Sequence, residues 1–172
     1  MSTTTAPTHI DTTKVKDRRP VHYASLDELL ADAEKLVALD AQGQVRALGN
    51  MTLGQGLGHL ALWMQASIDG IPDDLRPPPL IKLAGHMAKG MILSKGLRPG
   101  FKLPPDASKK LIPPPTITAS EAFNHLSAAC ARLRREHRRV PSPVFGNLTE
   151  EEWERLHLRH AELHLSFMQV AN

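Results

Sequence analysis

Cysteine, aromatic residues and long apolar runs are all scarce in this chain of 172 residues. Its one cysteine, Cys130, excludes an internal disulfide. An oxidising compartment is neither required nor excluded by this, and a reducing cytoplasm is the default expectation. Aromatic residues make up only 4% of the chain, so the core must consist mainly of aliphatic side chains, which favours helices packed on helices. No apolar run approaches the roughly 20 residues of a transmembrane helix, and we predict no membrane partner.

A strong excess of charge of one sign is also missing. The chain has 21 Lys and Arg against 18 Asp and Glu, a net charge of +3, which is too mild to indicate nucleic-acid binding. The densest group of cations, at residues 132–139, contains no interleaved aromatic residue. We predict no nucleic-acid partner and interpret this group as cations near a helix C-terminus, with binding of a phosphate or an acidic thiol cofactor as the alternative.

Four segments carry apolar residues at helical spacing, and each begins with a pair of residues that can form a capping box. The predicted helices are Ser25–Asp40, Thr52–Asp69, Thr118–Arg138 and Glu150–Val170. The capping pairs are Ser25 with Glu28, Thr52 with Gln55, Thr118 with Glu121, and Thr149 with Glu152.

Proline is concentrated in the middle of the chain, where residues 71–117 contain ten of the 14 prolines. We predict one short apolar helix there, Leu80–Leu93, within an otherwise extended crossover. A connection of this length in a compact domain usually acts as a lid or a wrapped crossover. Met87 and Met91 give the short helix an apolar side suited to covering either the pocket or a second copy of the chain, so a homodimer is one of two alternatives.

These elements predict an all-α fold, a four-helix bundle with a long Pro-rich crossover that carries a short extra helix. Residues 1–20, rich in Thr, are predicted to be a flexible N-terminal arm, and residues 21–172 a single domain. The sequence shows no internal repeat and no convincing strand pattern.

Three histidines on the last helix require an explanation. His160 lies near the middle of an apolar face formed by Trp153, Leu156, Leu163 and Phe167, and His157 and His164 lie about one turn away on either side. Burial of a polar group without a partner costs roughly 1–3 kcal/mol, and one metal ion would satisfy several neutral imidazoles at once.

His160 and His164 are four residues apart, so both imidazoles can reach one ion. His59 is the best third ligand, because it lies at the edge of the core face of the second helix. Gly54, Gly56 and Gly58 precede it in the same helix, and each lowers helix stability by roughly 1 kcal/mol relative to alanine. Their presence suggests a close helix contact or space for a ligand. Imidazole suits zinc, nickel, iron or copper; we expect zinc or nickel, with iron as the alternative.

The alternative to a metal site is that the histidines form hydrogen bonds with the backbone, with water or with each other. His157 could be a fourth ligand or a proton shuttle, but we favour the interpretation that it is a structural histidine. His86, in the crossover, is expected to be exposed. Glu162 projects about 160° from His164 on a helical wheel, so we do not expect it to be a catalytic base.

Three segments resemble the DinB/YfiT-like superfamily, in a branch of uncharacterised bacterial domains. They are Thr52-Leu-Gly-Gln-Gly-Leu-Gly-His59-Leu, Phe145-Gly-Asn-Leu-Thr-Glu-Glu-Glu-Trp153 and His160-Ala-Glu-Leu-His164. The resemblance spans about residues 18–170 and implies a four-helix bundle with a metal held by His59, His160 and His164. Ser166-Phe167 stands where relatives often carry a polar residue, commonly Gln.

Relatives with known activity include metal-dependent thiol transferases and a thiol-dependent isomerase. We therefore expect a metal-dependent enzyme that activates water or a thiol for transfer or hydrolysis of a small molecule, with no catalytic base assigned. The alternative is a non-catalytic binding protein with structural histidines or a structural metal.

Overall fold

The computed structural model describes residues 9–72, 77–100 and 109–171. These residues contain five α-helices of 15 to 17 residues and a small two-stranded sheet, so the protein is mostly helical. The helices are α1 (Leu26–Asp40), α2 (Leu53–Asp69), α3 (Pro79–Lys95), α4 (Ala119–Arg135) and α5 (Glu150–Leu165). Among the described helices, none is long and apolar enough to cross a membrane.

The predicted helix starts agree with the structure, because the capping side chains occupy their expected places. Thr52 with Gln55 and Thr149 with Glu152 form complete capping boxes. At α1 the Ser25 hydroxyl accepts from the Glu28 N–H, but the Glu28 carboxylate accepts from the N–H of Ala24 and not from that of Ser25.

The predicted ends of two helices are wrong. α4 ends at Arg135 and not at Arg138, because Glu136 adopts an extended conformation. α5 ends at Leu165, and the chain continues as strand β2 (Met168–Val170). The crossover helix is also longer than predicted: α3 has 17 residues, as many as α2.

The sequence shows no convincing strand pattern, but the structure contains two short strands. Strand β1 (Val45–Ala47) lies between α1 and α2 and pairs antiparallel with β2, with Val45 opposite Val170 and Ala47 opposite Met168. Three residues are too few to show the alternation that identifies a strand in a sequence. The pair ties the end of α5 to the connection between α1 and α2.

The main apolar core is drawn from α1, α2, α4 and α5. From α5 it receives Leu158, Ala161 and Leu165. The face that the sequence suggested, with Trp153 and Leu156, instead packs against Leu93 of α3 in a second cluster. α5 therefore buries apolar side chains on two sides.

The first eight residues of the predicted N-terminal arm lie outside the described residues, as do residues 101–108 of the crossover. The described part of the arm contacts the helical domain. The Ile10 backbone exchanges hydrogen bonds with the Asn50 side chain, and the Arg19 N–H donates to the Ser166 carbonyl at 2.8 Å. The division into an arm and one domain stays a prediction.

Two glycines of α2 allow a close approach to the segment that leads into α4. A Cβ on Gly54 would lie 2.4 Å from the Ile117 carbonyl oxygen, and one on Gly58 would lie 2.7 Å from Pro113 Cγ. Of the two explanations suggested by the sequence, close packing therefore applies at both positions.

We predict that Gly54→Ala lowers the free energy of unfolding by about 1–3 kcal/mol, because the new methyl group would overlap the Ile117 carbonyl. Gly90→Ala in α3 is the matched control, since its Cβ position has no described atom within 4 Å apart from its chain neighbours and the backbone of its own helix. The control should be stabilised by about 0.5–1 kcal/mol through better helix propensity. Urea unfolding measures both, and a Gly54→Ala protein as stable as the wild type would contradict the packing argument.

Candidate metal centre

His59 lies on α2 and is buried, with only 3% of its surface exposed. One of its two ring nitrogens is already engaged in a hydrogen bond. Its Nδ1 lies 2.6 Å from the carbonyl oxygen of Leu111, in the chain segment that returns from the crossover. A carbonyl can only accept, so Nδ1 carries the proton and Nε2 keeps its lone pair. This second-sphere contact is the usual way in which proteins orient a metal-binding histidine.

His160 and His164 project from consecutive turns of α5 toward His59. Their Nε2 atoms are 3.0 Å apart, and the His59 ring centre lies 5.1 Å from that of His160 and 4.8 Å from that of His164. One ligand nitrogen from each residue lies within 4.8 Å of the others. The structure thus brings together the three histidines that the sequence selected.

This donor set fits a divalent transition metal. Two nitrogens at 2.0–2.1 Å from one ion are separated by about 2.9–3.4 Å for ligand angles between 90° and the tetrahedral value. The Nε2 separation of His160 and His164 lies within that range. His59 supplies the third nitrogen, and the three ligand nitrogens lie within 4.8 Å of one another.

All three imidazoles favour the neutral form. Burial lowers the pKa of His59, although its hydrogen bond to Leu111 opposes part of that effect. Burial also lowers the pKa of His160 and of His164, and the neighbouring rings add to the effect because two adjacent positive charges repel each other. Neutral rings have a free lone pair at neutral pH, which a metal ion requires.

The edge of the cluster reaches solvent, because the side chains of His160 and His164 are only partly buried. Trp63 of α2 stands beside it, with its ring centre 6.3 Å from that of His59 and 6.0 Å from that of His160. Trp63 is also partly exposed. A small molecule approaching the cluster would therefore contact an indole ring.

Glu162 does not join the histidines, in agreement with its predicted direction. Its carboxylate lies 2.7 Å from the Arg159 guanidinium and accepts the Tyr23 N–H at 2.8 Å. Among the described residues, the metal-capable group contains histidine alone. Within the part of the chain that the structure describes, no carboxylate base is attached to the cluster.

His157 lies outside this group and has a structural partner that the sequence did not reveal. Its Nε2 lies 3.1 Å from the hydroxyl of Ser67, which donates its own proton to the Met64 carbonyl, so His157 is the donor. Its ring stacks on that of Trp153, with 5.3 Å between the two ring centres. Ser67 and His157 are 90 positions apart, and no local pattern predicts their contact.

The other candidates have partners or positions away from the cluster. His86 is exposed on α3 beside Gly146. Cys130 is buried against the Met64 sulfur at 3.7 Å, and burial raises the pKa of its thiol to about 12. In the arginine group, Arg132 pairs with Asp69 and Glu136, and Arg134 pairs with Asp27.

The chain belongs to a family described as a protein of unknown function, DUF1569, whose profile matches residues 15–171. That match corrects the resemblance to the DinB/YfiT-like superfamily, because no DinB/YfiT family matches the chain. No curated protein and no solved structure matches it. Family membership therefore assigns no activity, and the site must be interpreted from its own geometry.

We predict that His157→Gln reduces the loss of stability in acid. Burial, assisted by the charge of Arg139, lowers the pKa of His157 to about 3, so below about pH 6.5 only the unfolded chain takes up this proton. The free energy of unfolding should therefore fall with decreasing pH between about 6.5 and 3, by up to roughly 1.4 kcal/mol per pH unit for this group. Glutamine can still donate to Ser67 but does not titrate.

Urea unfolding of metal-free protein at several pH values measures the effect. His125→Gln is the control, because His125 is exposed on α4. A pH dependence in His157→Gln as steep as that of the wild type would show that His157 is not buried in its neutral form.

Proposed function

We propose that this protein is a metal-dependent enzyme in which His59, His160 and His164 hold one divalent ion and leave it an open coordination position. The observation that carries the proposal is the convergence of three neutral imidazoles from two helices, one of them fixed by a backbone carbonyl. Three protein ligands with an open position are typical of catalytic metal sites, whereas structural sites usually have four.

The arrangement of helices supports the same proposal. The main core joins α1, α2, α4 and α5, which we interpret as a four-helix bundle with α3 packed outside on α5. In such bundles, metal sites are built from side chains on facing helices. α2 and α5 are the facing pair here.

The protein's own residues define how a substrate would be received. The residues His160 and His164, which are partly exposed, lie with Trp63 on the accessible side of the cluster, and the Leu111 segment closes the side of His59. Bound there, a divalent ion would lower the pKa of a water molecule or thiol at its open position. We therefore propose transfer or hydrolysis of a small molecule, with water or a thiol as the nucleophile.

The donor set supports zinc or nickel, with iron as the alternative. Neutral imidazole nitrogens suit all three metals, and a set without thiolate or carboxylate leaves the ion its full positive charge. That charge favours activation of a bound nucleophile.

One observation favours a second candidate function, a non-catalytic binding protein with structural histidines. The Nε2 atoms of His160 and His164 are at hydrogen-bond distance, so one ring can donate to the other without a metal. A protein of this kind would present its exposed α3 face, with Leu83 and Met87, to a partner or to a second copy of the chain.

We predict that protein purified without a histidine tag contains nearly one equivalent of zinc, nickel or iron, and that His160→Ala does not. His125→Ala is the matched control and should retain the metal. Saturating metal should also stabilise the wild type, by about 3 kcal/mol at a hundred times the dissociation constant, because only the folded chain has all three ligands in place. Elemental analysis and thermal unfolding measure these effects.

A wild type that is free of metal and gains no stability from zinc, nickel or iron would refute the metal site. Metal bound without turnover of thiol or ester substrates would favour a structural ion. Turnover that His164→Ala abolishes and His125→Ala preserves would establish the enzyme.

A further inference from the structure

A groove of about 310 Å³ lies beside α5, on a different face from the histidine cluster. Its walls come from residue 16 and residues 18–21 at the end of the N-terminal arm, from residues 95–97 at the end of α3, and from residues 159–166 along one side of α5 and just after it. Its size is suited to one small ligand or one functional group, and it is too small for a polymer.

Positive charge dominates the groove. Five basic residues line it, against the single acid Glu162; they are Lys16, Arg18, Arg19, Lys95 and Arg159. Two of the five are already neutralised. Arg19 makes a two-point contact with Asp32 at 2.7 and 2.6 Å, and Arg159 pairs with Glu162 at 2.7 Å.

The other three cations, Lys16, Arg18 and Lys95, have no acidic partner among the described residues. Arg18 donates to the Ser166 hydroxyl at 3.2 Å and lies over the Phe167 ring at 5.1 Å, and both contacts are with uncharged groups. Lys16 and Lys95 are exposed. Three like charges that face one concave surface repel each other, and a bound anion would remove that repulsion.

The groove is also preformed. The end of the arm is held at the C-terminal end of α5 by the hydrogen bond from the Arg19 N–H to the Ser166 carbonyl, and the segment that follows the arm is held by the bond from the Tyr23 N–H to Glu162. Arg159 donates to the Tyr23 carbonyl at 2.7 Å and closes the same junction. A ligand would therefore find the backbone that carries Arg18 already ordered, which lowers the entropic cost of binding.

We propose that this groove binds the phosphate or carboxylate group of a small molecule through Arg18, Lys16 and Lys95. Guanidinium and ammonium groups form charge-assisted hydrogen bonds with both anions, and a planar guanidinium can contact two oxygens at once. The proposal does not depend on a metal in the histidine cluster. Arg159 and Leu163 line the groove and immediately precede His160 and His164, so the two sites occupy neighbouring faces of α5.

The test is calorimetric titration of inorganic phosphate, and separately of acetate, into protein from which metal has been removed with a chelator, at low ionic strength. We expect saturable binding of at least one of these anions. Arg18→Gln with Lys95→Gln should weaken it by about tenfold or more, because two charged donors are lost. The control is Lys82→Gln with Arg155→Gln, which removes the same charge from exposed positions outside the groove and should bind like the wild type.

Lys95→Gln alone provides a variant whose folding is secure, since the side chain is exposed and no described residue pairs with it. A weaker affinity for phosphate in this variant supports the site, and tighter binding of acetate than of phosphate would assign a carboxylate ligand. Equal losses in the groove variant and the control would overturn the proposal, as would the absence of saturable binding of both anions. Binding that appears only with added zinc and disappears in His164→Ala would place the anion on the metal and also overturn it. Loss of metal in His160→Ala with intact phosphate binding would leave both sites supported.

Discussion

The close contact between α2 and the chain that returns from the crossover is the constraint on which the rest of the structure depends. Gly54 and Gly58 bring α2 against Ile117 and Pro113, closer than any residue with a side chain would allow. The same approach brings the Leu111 carbonyl to His59 and thereby selects the tautomer that leaves Nε2 free. Backbone packing and the protonation pattern of the candidate centre thus have one cause.

α5 meets a different environment on each of its sides. Leu158, Ala161 and Leu165 complete the main core, whereas Trp153 and Leu156 receive α3. His160 and His164 face α2, and the side with Arg159 and Glu162 holds the N-terminal arm. Because one rigid helix carries all these contacts, the histidine cluster and the basic groove have fixed relative positions. This differs from a site assembled on loops, where each side chain would have to be ordered separately.

Much of the fold and of the histidine cluster was predictable, because both depend on helical periodicity. Capping pairs located the starts of four helices, and the spacing of four residues placed His160 and His164 together. The Leu111 and Ser67 contacts were not predictable, since they join residues 52 and 90 positions from their histidine partners through tertiary packing. The strand pair was missed because each strand has only three residues. The proposed superfamily was wrong because short motifs of glycine and histidine follow helix geometry, which many families share; the match over residues 15–171 is much more specific.

The distribution of the three histidines along the chain also determines when their site can form during synthesis. His160 and His164 are neighbours on one helix, but His59 precedes His160 by about 100 positions, which a ribosome needs roughly 5–20 s to translate. Until α5 has been synthesised, the shared core lacks Leu158, Ala161 and Leu165, and His59 lacks both of its neighbours in the cluster. Because His160 and His164 lie on consecutive turns of that one helix, its synthesis supplies both remaining histidines almost together.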